Sequence, residues 1–501
     1  MIARTYTVQP NALDGTIVTV EADFMLAKQG PGIFSIVGLA GKAIDEASDR
    51  VLTALRNSKM LTHKEGTIRA IISLAPAALK KDGSLFDLAI AMAYYMAREG
   101  IQKDVSNTVF LGELSLDGTL REVRGVLPAT VAAKKAGYTE VIVPKENAAE
   151  AALVEGVRIY AATSLLQVAQ HVREVAVLTP TPTTKIDDTY ASAVTMLEDV
   201  RGQETAKRGL IIAAAGKHNA ILVGPPGTGK TMLARSLPGI LPALSLDEAL
   251  EVMAIHSYAG TLSGGITSTP PFRAPHHSAS HVALVGGGSI PRPGEVTLAH
   301  RGVLFMDEFP EFDRRTIDSL RQPLEDRVVT IARAQSSVQF PANIMMIAAM
   351  NPSRGGDSGD NYAEQMLETY KNKVSGPILD RIDLWLSVPH ISHEDLAKIN
   401  TQTGETERAR DIIRAARARQ AARLKAHGIT TNAEMTARTI DDVIELSDSV
   451  RTFLIKSAER LKLSPRSYHR LVKTSRTIAD LAESDTLEES HVLEALQYRV
   501  Q

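Results

Sequence analysis

One eight-residue stretch constrains the fold of this chain more than any other. It is glycine-rich, ends in a lysine and a threonine, and reads Gly224-Pro225-Pro226-Gly227-Thr228-Gly229-Lys230-Thr231. The apolar run 219–223 before it predicts a buried strand, and residues 231–237 after it predict the start of a helix. Strand, glycine-rich turn and helix are the context in which the GxxxxGK[ST] pattern binds phosphate.

The chemistry of this loop follows from its residue types. Glycines let backbone N–H groups turn toward phosphates, and the helix N-terminus adds a partial positive charge. Lys230 is expected to reach the β- and γ-phosphates of ATP, and Thr231 to hold Mg²⁺. The alternative is a turn that binds nothing, and the complete motif in its proper context argues against it.

Polar residues that follow two later apolar runs supply the rest of a hydrolytic site. Asp307 and Glu308 follow the run 303–306, where Asp307 can bind Mg²⁺ through water and Glu308 can orient the attacking water. Asn351 follows the run 343–350, and such a strand tip would place its amide near the γ-phosphate as a sensor. A simple Asn-Pro turn is the less favoured alternative for Asn351.

Two weaker signals flank these motifs. Gly202-Gln203 lies upstream of the loop and is similar to a segment that packs near the adenine in AAA+ ATPases. Arg381 lies beside Asp380 and Asp383. From the residues alone, Arg381 either pairs with one of these carboxylates, which is favoured, or completes the site of a neighbouring subunit.

Length and composition limit the classes of protein to which this chain can belong. A chain of 501 residues predicts two to four domains, and its net charge of −2 confines any nucleic-acid contact to local patches. The absence of cysteine excludes disulfides, thiolate nucleophiles and cysteine-ligated zinc, and fits a cytoplasmic protein. Neither a signal-peptide core nor a membrane-spanning run is visible, so no membrane association is expected.

The first 175 residues alternate between predicted strands and helices, which indicates an α/β domain. The strands are predicted at 17–24, 68–74, 109–114 and 141–144, and the helices at 40–56, 85–98 and 127–137. The Pro/Thr-rich stretch 178–184 predicts an extended linker, which we place at 176–189.

Two stretches of this domain, 79–85 and 111–118, resemble the proteolytic domain of Lon, which uses a Ser–Lys dyad. In that alignment the nucleophile position falls on Leu85, one residue after Ser84, and the lysine position falls on Leu127. Leucine can neither attack a carbonyl nor move a proton, so we expect a Lon-like fold without peptidase activity. Ser84 is either a displaced nucleophile or, as favoured, a cap residue of the following helix.

The order of the later motifs resembles the magnesium-chelatase-type branch of AAA+ ATPases. The segments 272–278, 286–295 and 308–312 resemble the YifB/ComM family more narrowly. This resemblance implies a P-loop AAA+ α/β core at 190–395, a C-terminal helical lid at 396–501, and the Lon-like α/β domain before them. It also implies that Arg381 is the arginine finger and that Arg466, in Ser464-Pro465-Arg466, is the sensor-2 arginine.

The same resemblance implies two insertions that face the pore of a ring. Residues 259–293 are similar to the helix-2 insert, and 327–334 with 338–340 alternate like the pre-sensor-1 hairpin. Their basic residues are the candidate DNA contacts, with pairing to acidic neighbours as the alternative: Arg273, His276, His277, Arg292, Arg327 and Arg333. Aromatic residues are few there, so contacts should fall on phosphates.

Metal binding at this insertion is not expected. His276 and His277 are adjacent, and adjacent side chains seldom converge on one ion. Family members commonly carry a cysteine-rich insert after the sensor, whereas residues 353–362 are polar and contain no cysteine, so no zinc is expected. The arginine-rich helix around 408–423 is predicted to present a solvated basic face, with nucleotide, a neighbour or DNA as other possible contacts.

The resemblance implies a ring motor, with six subunits expected, that hydrolyses ATP with Mg²⁺ and acts on DNA. Branch migration or helicase action in recombination or natural transformation is the function it favours. A chelatase-type motor subunit that remodels a protein partner is the main alternative. An ATP-dependent protease is disfavoured by Leu85 and Leu127, and a scaffold with little turnover by Glu308 and Arg381.

Overall fold

A computed structural model gives the structure of the chain in two compact units. It describes residues 2–11, 13–27, 33–38, 46–61, 67–79, 81, 83–186, 195–262, 267–288, 291–332, 337–351, 376–392 and 404–499. The first unit comprises residues 1–187 together with 250–267, and the second comprises 188–249 and 268–501. The division at 187 lies inside the predicted linker, whereas 250–267 is a segment that the sequence assigns to the ATPase core.

A seven-stranded sheet forms the centre of the first unit, in the order β3-β4-β2-β1-β5-β8-β9. Its strands are β1 (Ile2–Asn11), β2 (Asp14–Ala27), β3 (Ile33–Val37), β4 (Thr67–Ala75), β5 (Thr108–Phe110), β8 (Glu140–Pro144) and β9 (Arg158–Ala162). The pairs β1–β2 and β2–β4 are antiparallel, while β1–β5, β5–β8, β8–β9 and β3–β4 are parallel. A short ribbon joins β6 (Glu113–Leu114) to β7 (Leu120–Arg121).

Helices cover this sheet and confirm the predicted α/β alternation. They are α1 (Ala47–Asn57), α2 (Asp87–Glu99), α3 (Val126–Lys135), α4 (Ala148–Ala151) and α5 (Leu165–Val172). The predicted strand 109–114 is interrupted, because Gly112 exchanges backbone hydrogen bonds with Leu85 and Leu88 at 3.1 Å each. Every residue from Asp87 to Arg98 is buried, which accounts for the apolar sequence of α2.

Leu85 and Leu127, which we expect at the positions of the Ser–Lys dyad, lie in the apolar core of the first unit. Leu85 is 5% exposed and Leu127 is fully buried. The backbone N–H of Leu127 faces the Ser257 hydroxyl at 3.4 Å, and the N–H of Gly125 donates to the Ser257 carbonyl at 3.0 Å. Ser257 therefore packs beside Leu127, an arrangement that the sequence did not predict.

Five parallel strands form the main sheet of the second unit, in the order β11-β14-β17-β10-β18. They are β10 (Ala220–Val223), β11 (Phe272–Arg273), β14 (Val303–Met306), β17 (Met345–Met350) and β18 (Leu384–Ser387). Because every pair is parallel, all carboxyl ends meet at one edge and all amino ends at the other. We call these the carboxyl edge and the amino edge of the ATPase sheet.

Two small antiparallel ribbons accompany this sheet. One pairs β12 (Gly286–Gly287) with β13 (Arg292–Pro293), and the other pairs β15 (Val328–Ala332) with β16 (Ser337–Pro341). The second ribbon is the hairpin that the alternating sequence predicts. Arg333 and the polar segment 353–362 lie outside the described residues.

The helices of the second unit divide between its sheet and a helical C-terminal region. Those within or beside the sheet are α6 (Glu204–Gly216), α7 (Lys230–Ile240), α8 (Leu246–Ala259, whose residues from 250 onward belong to the first unit), α9 (His281–Val285), α10 (Glu295–Leu298), α11 (Arg314–Asp318), α12 (Arg321–Asp326) and α13 (Gly376–Leu379). The C-terminal ones are α14 (Glu405–Leu424), α15 (Ala437–Val443), α16 (Asp448–Arg460), α17 (Pro465–Leu481) and α18 (Glu489–Gln497). No helix among the described residues is long and apolar enough to cross a membrane.

The arginines of α14 form the predicted solvated face only in part, since Arg408 and Arg414 are exposed whereas Arg410 and Arg417 are bound within the chain. Arg410 donates to the Gly239 carbonyl at 2.7 Å, and Arg417 donates to the Ala214 carbonyl at 2.6 Å. These carbonyls lie in the last turns of α7 and α6, where no intrahelical donor is available. The guanidinium groups satisfy them, so this basic stripe holds the helical region against the ATPase sheet.

Candidate nucleotide site

The phosphate loop occupies the carboxyl edge, between the end of β10 and the start of α7. Its first residue, Gly224, passes so close to β18 that a Cβ there would lie 2.0 Å from the Val388 carbonyl oxygen. Gly227 and Gly229 have φ values of +78° and +92°, which favour glycine, and a Cβ at either would meet open space. The backbone conformation of these two glycines and the open space beside them therefore leave room for the phosphates of a nucleotide.

Lys230 is folded back onto the loop that precedes it. Its Nζ donates to the carbonyls of Gly224 at 2.7 Å and Pro225 at 2.6 Å. Burial lowers the pKa of Lys230, while the charge of Asp307 acts in the opposite direction. Phosphate oxygens are charged and accept stronger hydrogen bonds than these carbonyls, so the ammonium is well placed to bind them.

The predicted Mg²⁺ pair is brought together at the same edge. The Thr231 hydroxyl donates to one carboxylate oxygen of Asp307 at 2.9 Å, and the backbone N–H of Glu308 donates to the other at 3.0 Å. Hydroxyl and carboxylate oxygens are the ligands that Mg²⁺ prefers. Thr231 and Asp307 therefore fit the ion, either directly or through its bound waters.

Glu308 has a partner that the sequence did not reveal. The His277 Nδ1 lies 3.0 Å from a carboxylate oxygen of Glu308, whose backbone adopts φ +50°. The segment with His277 follows β11, a parallel neighbour of β14, so both residues emerge at the carboxyl edge. Phe272 and Phe305 stack across the same two strands with ring centroids 6.0 Å apart. The His277–Glu308 contact could have been anticipated only if the strand at 272–273 and its pairing with β14 had been predicted.

Gln203 links the phosphate loop to the segment that follows β18. Its side-chain amide donates to the Pro389 carbonyl at 2.7 Å and to the Thr228 carbonyl at 3.4 Å. The side chain of Gln203 in the Gly-Gln segment therefore stabilises the phosphate loop by hydrogen bonds. Asn351 follows β17 and is exposed at the same edge, which is where a sensor amide would be needed.

Arg381 and Arg466 lie together, but at the amino edge. Arg381 precedes β18 by three residues, and its carbonyl accepts a hydrogen bond of 3.0 Å from Asn219, which precedes β10. Its guanidinium pairs with Glu325 of α12, not with Asp380 or Asp383 as the local sequence favours. Arg466, at the start of α17, pairs with the same carboxylate.

The local prediction for Arg381 fails because its neighbouring acid is already engaged. Asp383 lies 3.6 Å from the His218 ring and 3.7 Å from the Arg470 guanidinium. Four strand residues, about 13 Å, separate the amino edge from the phosphate loop. The structure therefore groups the predicted site residues in two sets that lie apart within one chain.

A cavity of about 550 Å³ opens beside the second set. Six cationic side chains line it, namely Lys217, Arg327, Arg381, Arg466, Arg470 and Lys473, together with the carboxylates Glu325, Asp383 and Glu434. Burial lowers the pKa of Lys217 to about 7 and that of Lys473 to about 8. Burial opposes ionisation of Glu434, yet Lys217 and hydrogen bonds lower its pKa to about 2.

The candidate DNA contacts have different surroundings. Arg273 forms a two-pronged pair with Glu295 at 2.6 and 2.8 Å, so its guanidinium is engaged within the chain. Arg327 donates to the Ala433 carbonyl at 3.3 Å and lines the cavity. Arg292 is exposed on β13. His276 packs against His277 with ring centroids 4.2 Å apart, beside Glu308 and not on a separate surface.

Three family models match this chain in succession. "Subunit ChlI of Mg-chelatase" matches residues 20–147, "Magnesium chelatase, subunit ChlI" matches 196–396, and "Magnesium chelatase, subunit ChlI C-terminal" matches 403–499. The competence protein ComM of Haemophilus influenzae is 41% identical and is aligned over 99% of this chain and 97% of its own length. The YifB protein of Escherichia coli is 40% identical over 96% and 94%, respectively.

A similarity to Lon is confined to part of the chain. Lon protease 1 of Thermus thermophilus is 33% identical over 144 residues, which cover 27% of this chain and 17% of the protease. This similarity supports the Lon-like character of the α/β fold.

Proposed function

Because the chain belongs to the YifB/ComM family of magnesium-chelatase-type AAA+ proteins, we propose that it hydrolyses ATP to ADP and phosphate as a ring motor that acts on DNA. Six identical subunits are the expected number. The name of the Haemophilus influenzae relative, a competence protein, supports a role in natural transformation.

The carboxyl edge supplies the groups that bind and position ATP. Lys230 and the backbone of the phosphate loop would hold the phosphates, while Thr231 and Asp307 would hold Mg²⁺. Bound Mg²⁺ neutralises charge on the phosphate oxygens. Glu308 orients the water that attacks the γ-phosphorus, and Asn351 reports on the γ-phosphate from the tip of β17.

One observation carries the proposal of a ring. Arg381 and Arg466 pair with Glu325 at the amino edge, away from the phosphate loop of the same chain. A guanidinium that stabilises the transferring phosphoryl group must reach it, and in ring ATPases a neighbouring subunit can supply it. The phosphate loop of one subunit would therefore meet the arginine pair of the next.

Subunit mixing tests this arrangement. Lys230→Ala subunits lack a working phosphate loop but keep the arginines, whereas Arg381→Ala subunits keep the loop and lack the finger. Each variant alone should be inactive, and a mixture should recover part of the wild-type ATPase rate. Failure to recover, together with full turnover by an isolated wild-type subunit, would refute the ring.

The DNA part of the proposal needs a separate test. Single-stranded, double-stranded or branched DNA should stimulate ATP hydrolysis at low salt. Arg292→Ala should weaken binding and reduce the log–log salt slope by roughly 0.7 to 0.9, the value for one lost phosphate contact. Exposed Lys456→Met on α16 is the matched loss of one positive charge and should leave the slope unchanged.

A second candidate function follows from the family models. All three are models of a magnesium-chelatase subunit, which supports a motor that remodels a protein partner. If the wild-type protein hydrolyses ATP but neither binds DNA nor responds to it at low salt, this second function replaces the first.

A further inference from the structure

One carboxylate at the amino edge is shared by two arginines from distant parts of the chain. Glu325 lies in α12, and its Oε2 accepts from the Nη2 of Arg381 while its Oε1 accepts from the Nη2 of Arg466. Each carboxylate oxygen thus binds one guanidinium. The pairing fixes the two arginines side by side although they are 85 residues apart in sequence.

Both guanidinium groups retain donors beyond this contact. A guanidinium has five N–H groups in a planar fork. Arg381 uses one terminal nitrogen for Glu325 and the other for the Pro377 carbonyl, its Nε is buried, and its side chain is 12% exposed, so its remaining donors are the second N–H groups of the two terminal nitrogens. The Arg466 side chain is 48% exposed. Glu325 therefore orients the pair and leaves N–H groups for an anion, most of them on the more exposed Arg466.

The surroundings explain why an acid is needed at this point. Six cationic and three acidic side chains line the adjoining cavity. Two guanidinium groups placed side by side repel each other, and the other cations of the cavity add to this repulsion. The negative charge of Glu325 offsets it, because the carboxylate lies between the two groups.

We propose that Glu325 is a positioning residue that holds Arg381 and Arg466 together for delivery to the phosphates of a neighbouring subunit. The inference rests on the proposed ring function and goes beyond it, since it assigns to Glu325 a role in the subunit that donates the arginines. Glu325 itself contacts neither ATP nor water in the reaction.

A placement experiment tests this role. The parent mixture of Lys230→Ala and Arg381→Ala subunits has one productive interface, where the Lys230→Ala subunit donates the arginines. Adding Glu325→Ala to that donor should lower the recovered kcat by about 10- to 10²-fold, since a misplacement of about 1 Å can cost roughly 10²-fold. Adding it to the Arg381→Ala subunit should change little, because that subunit contributes only its phosphate loop.

The second placement also shows that the variant folds and assembles. Glu325→Gln, which keeps the shape and removes the charge, should reproduce the same dependence on placement. Asp326→Ala is the matched control, because Asp326 is the adjacent exposed acid of α12 and has no hydrogen bond or ion pair with another described residue.

The outcomes separate the two proposals. If the parent mixture does not recover activity and an isolated wild-type subunit turns over fully, the ring proposal fails. If the mixture recovers and Glu325→Ala has the same effect in either subunit, or none in the donor, the role of Glu325 is refuted. Loss confined to the donor, with unchanged ATP binding by the mixture, supports it.

Discussion

The two edges of the ATPase sheet carry different functional side chains. At the carboxyl edge, Thr231 donates to Asp307 at 2.9 Å and Lys230 donates to the carbonyl of Pro225 at 2.6 Å, beside a glycine-lined space. At the amino edge, Arg381 and Arg466 share one carboxylate beside a cationic cavity that has no such glycine loop. Under the proposed function each edge supplies half of a phosphoryl-transfer site, and the strands between them keep the halves apart.

The largest expected effects distinguish binding at one edge from catalysis at the other. Lys230→Ala should abolish ATP binding, because phosphate charge is no longer neutralised. Arg381→Ala should bind ATP normally yet lose about 10³-fold in kcat, as expected for a lost finger. Titration with a fluorescent ATP analogue and steady-state phosphate release measure the two quantities. If Arg381→Ala lost ATP binding as completely as Lys230→Ala does, the functional difference between the edges would disappear.

An intermediate effect is expected within the carboxyl edge. Glu308→Gln should bind ATP and turn over about 10²- to 10³-fold more slowly, since the water is no longer oriented. His277→Ala should lower kcat by about tenfold with an unchanged affinity for ATP, because His277 only holds Glu308. His277→Asn, which keeps a donor, should recover part of this loss. An effect of His277→Ala on ATP affinity alone would exclude the positioning role.

Glu308 provides the internal control for this prediction. In a Glu308→Gln background, His277→Ala should have little further effect on kcat, because the group that it positions is already absent. Full additivity of the two losses would show that His277 acts on another part of the site.

The smallest expected effect concerns stability at the amino edge. Burial lowers the pKa of Lys217 to about 7, well below its value in an unfolded chain, so the folded protein binds this proton less readily. This group therefore destabilises the fold fully below pH 7. Its penalty is relieved as pH rises from 7 toward the unfolded pKa, by at most about 1.4 kcal/mol per pH unit.

Urea unfolding at pH 7, 8 and 9 measures this dependence. Lys217→Met should flatten the rise in the free energy of unfolding, whereas Lys456→Met, at an exposed lysine of α16, should leave it unchanged. Equal slopes in all three proteins would mean that the Lys217 ammonium at the amino edge does not have the lowered pKa.

Predictions from the sequence succeeded where neighbouring residues impose the structure. Left-handed φ values at Gly227 and Gly229 require glycine, and apolar runs before Gly224, Asp307 and Asn351 specify buried parallel strands. The β15–β16 hairpin and the α/β class were likewise predictable from local alternation of residue types. In each of these cases the relevant interactions lie within a few residues of one another.

Choice of side-chain partner was not predictable in this way. Arg381 lies beside two aspartates in sequence but pairs with Glu325, 56 residues away. Arg273 pairs with Glu295, 22 residues away. An ion pair depends on which charged groups the fold brings within about 3 Å, and sequence distance carries little of that information.

The sequence by itself thus determined the phosphate loop, the Asp307–Glu308 pair and the family, because these depend on local backbone geometry and on residue order. Only the tertiary structure decided that Arg466 lies with Arg381, that His277 reaches Glu308 and that residues 250–267 pack in the first unit. Those arrangements arise from strand order and helix packing, which join segments that are distant along the chain.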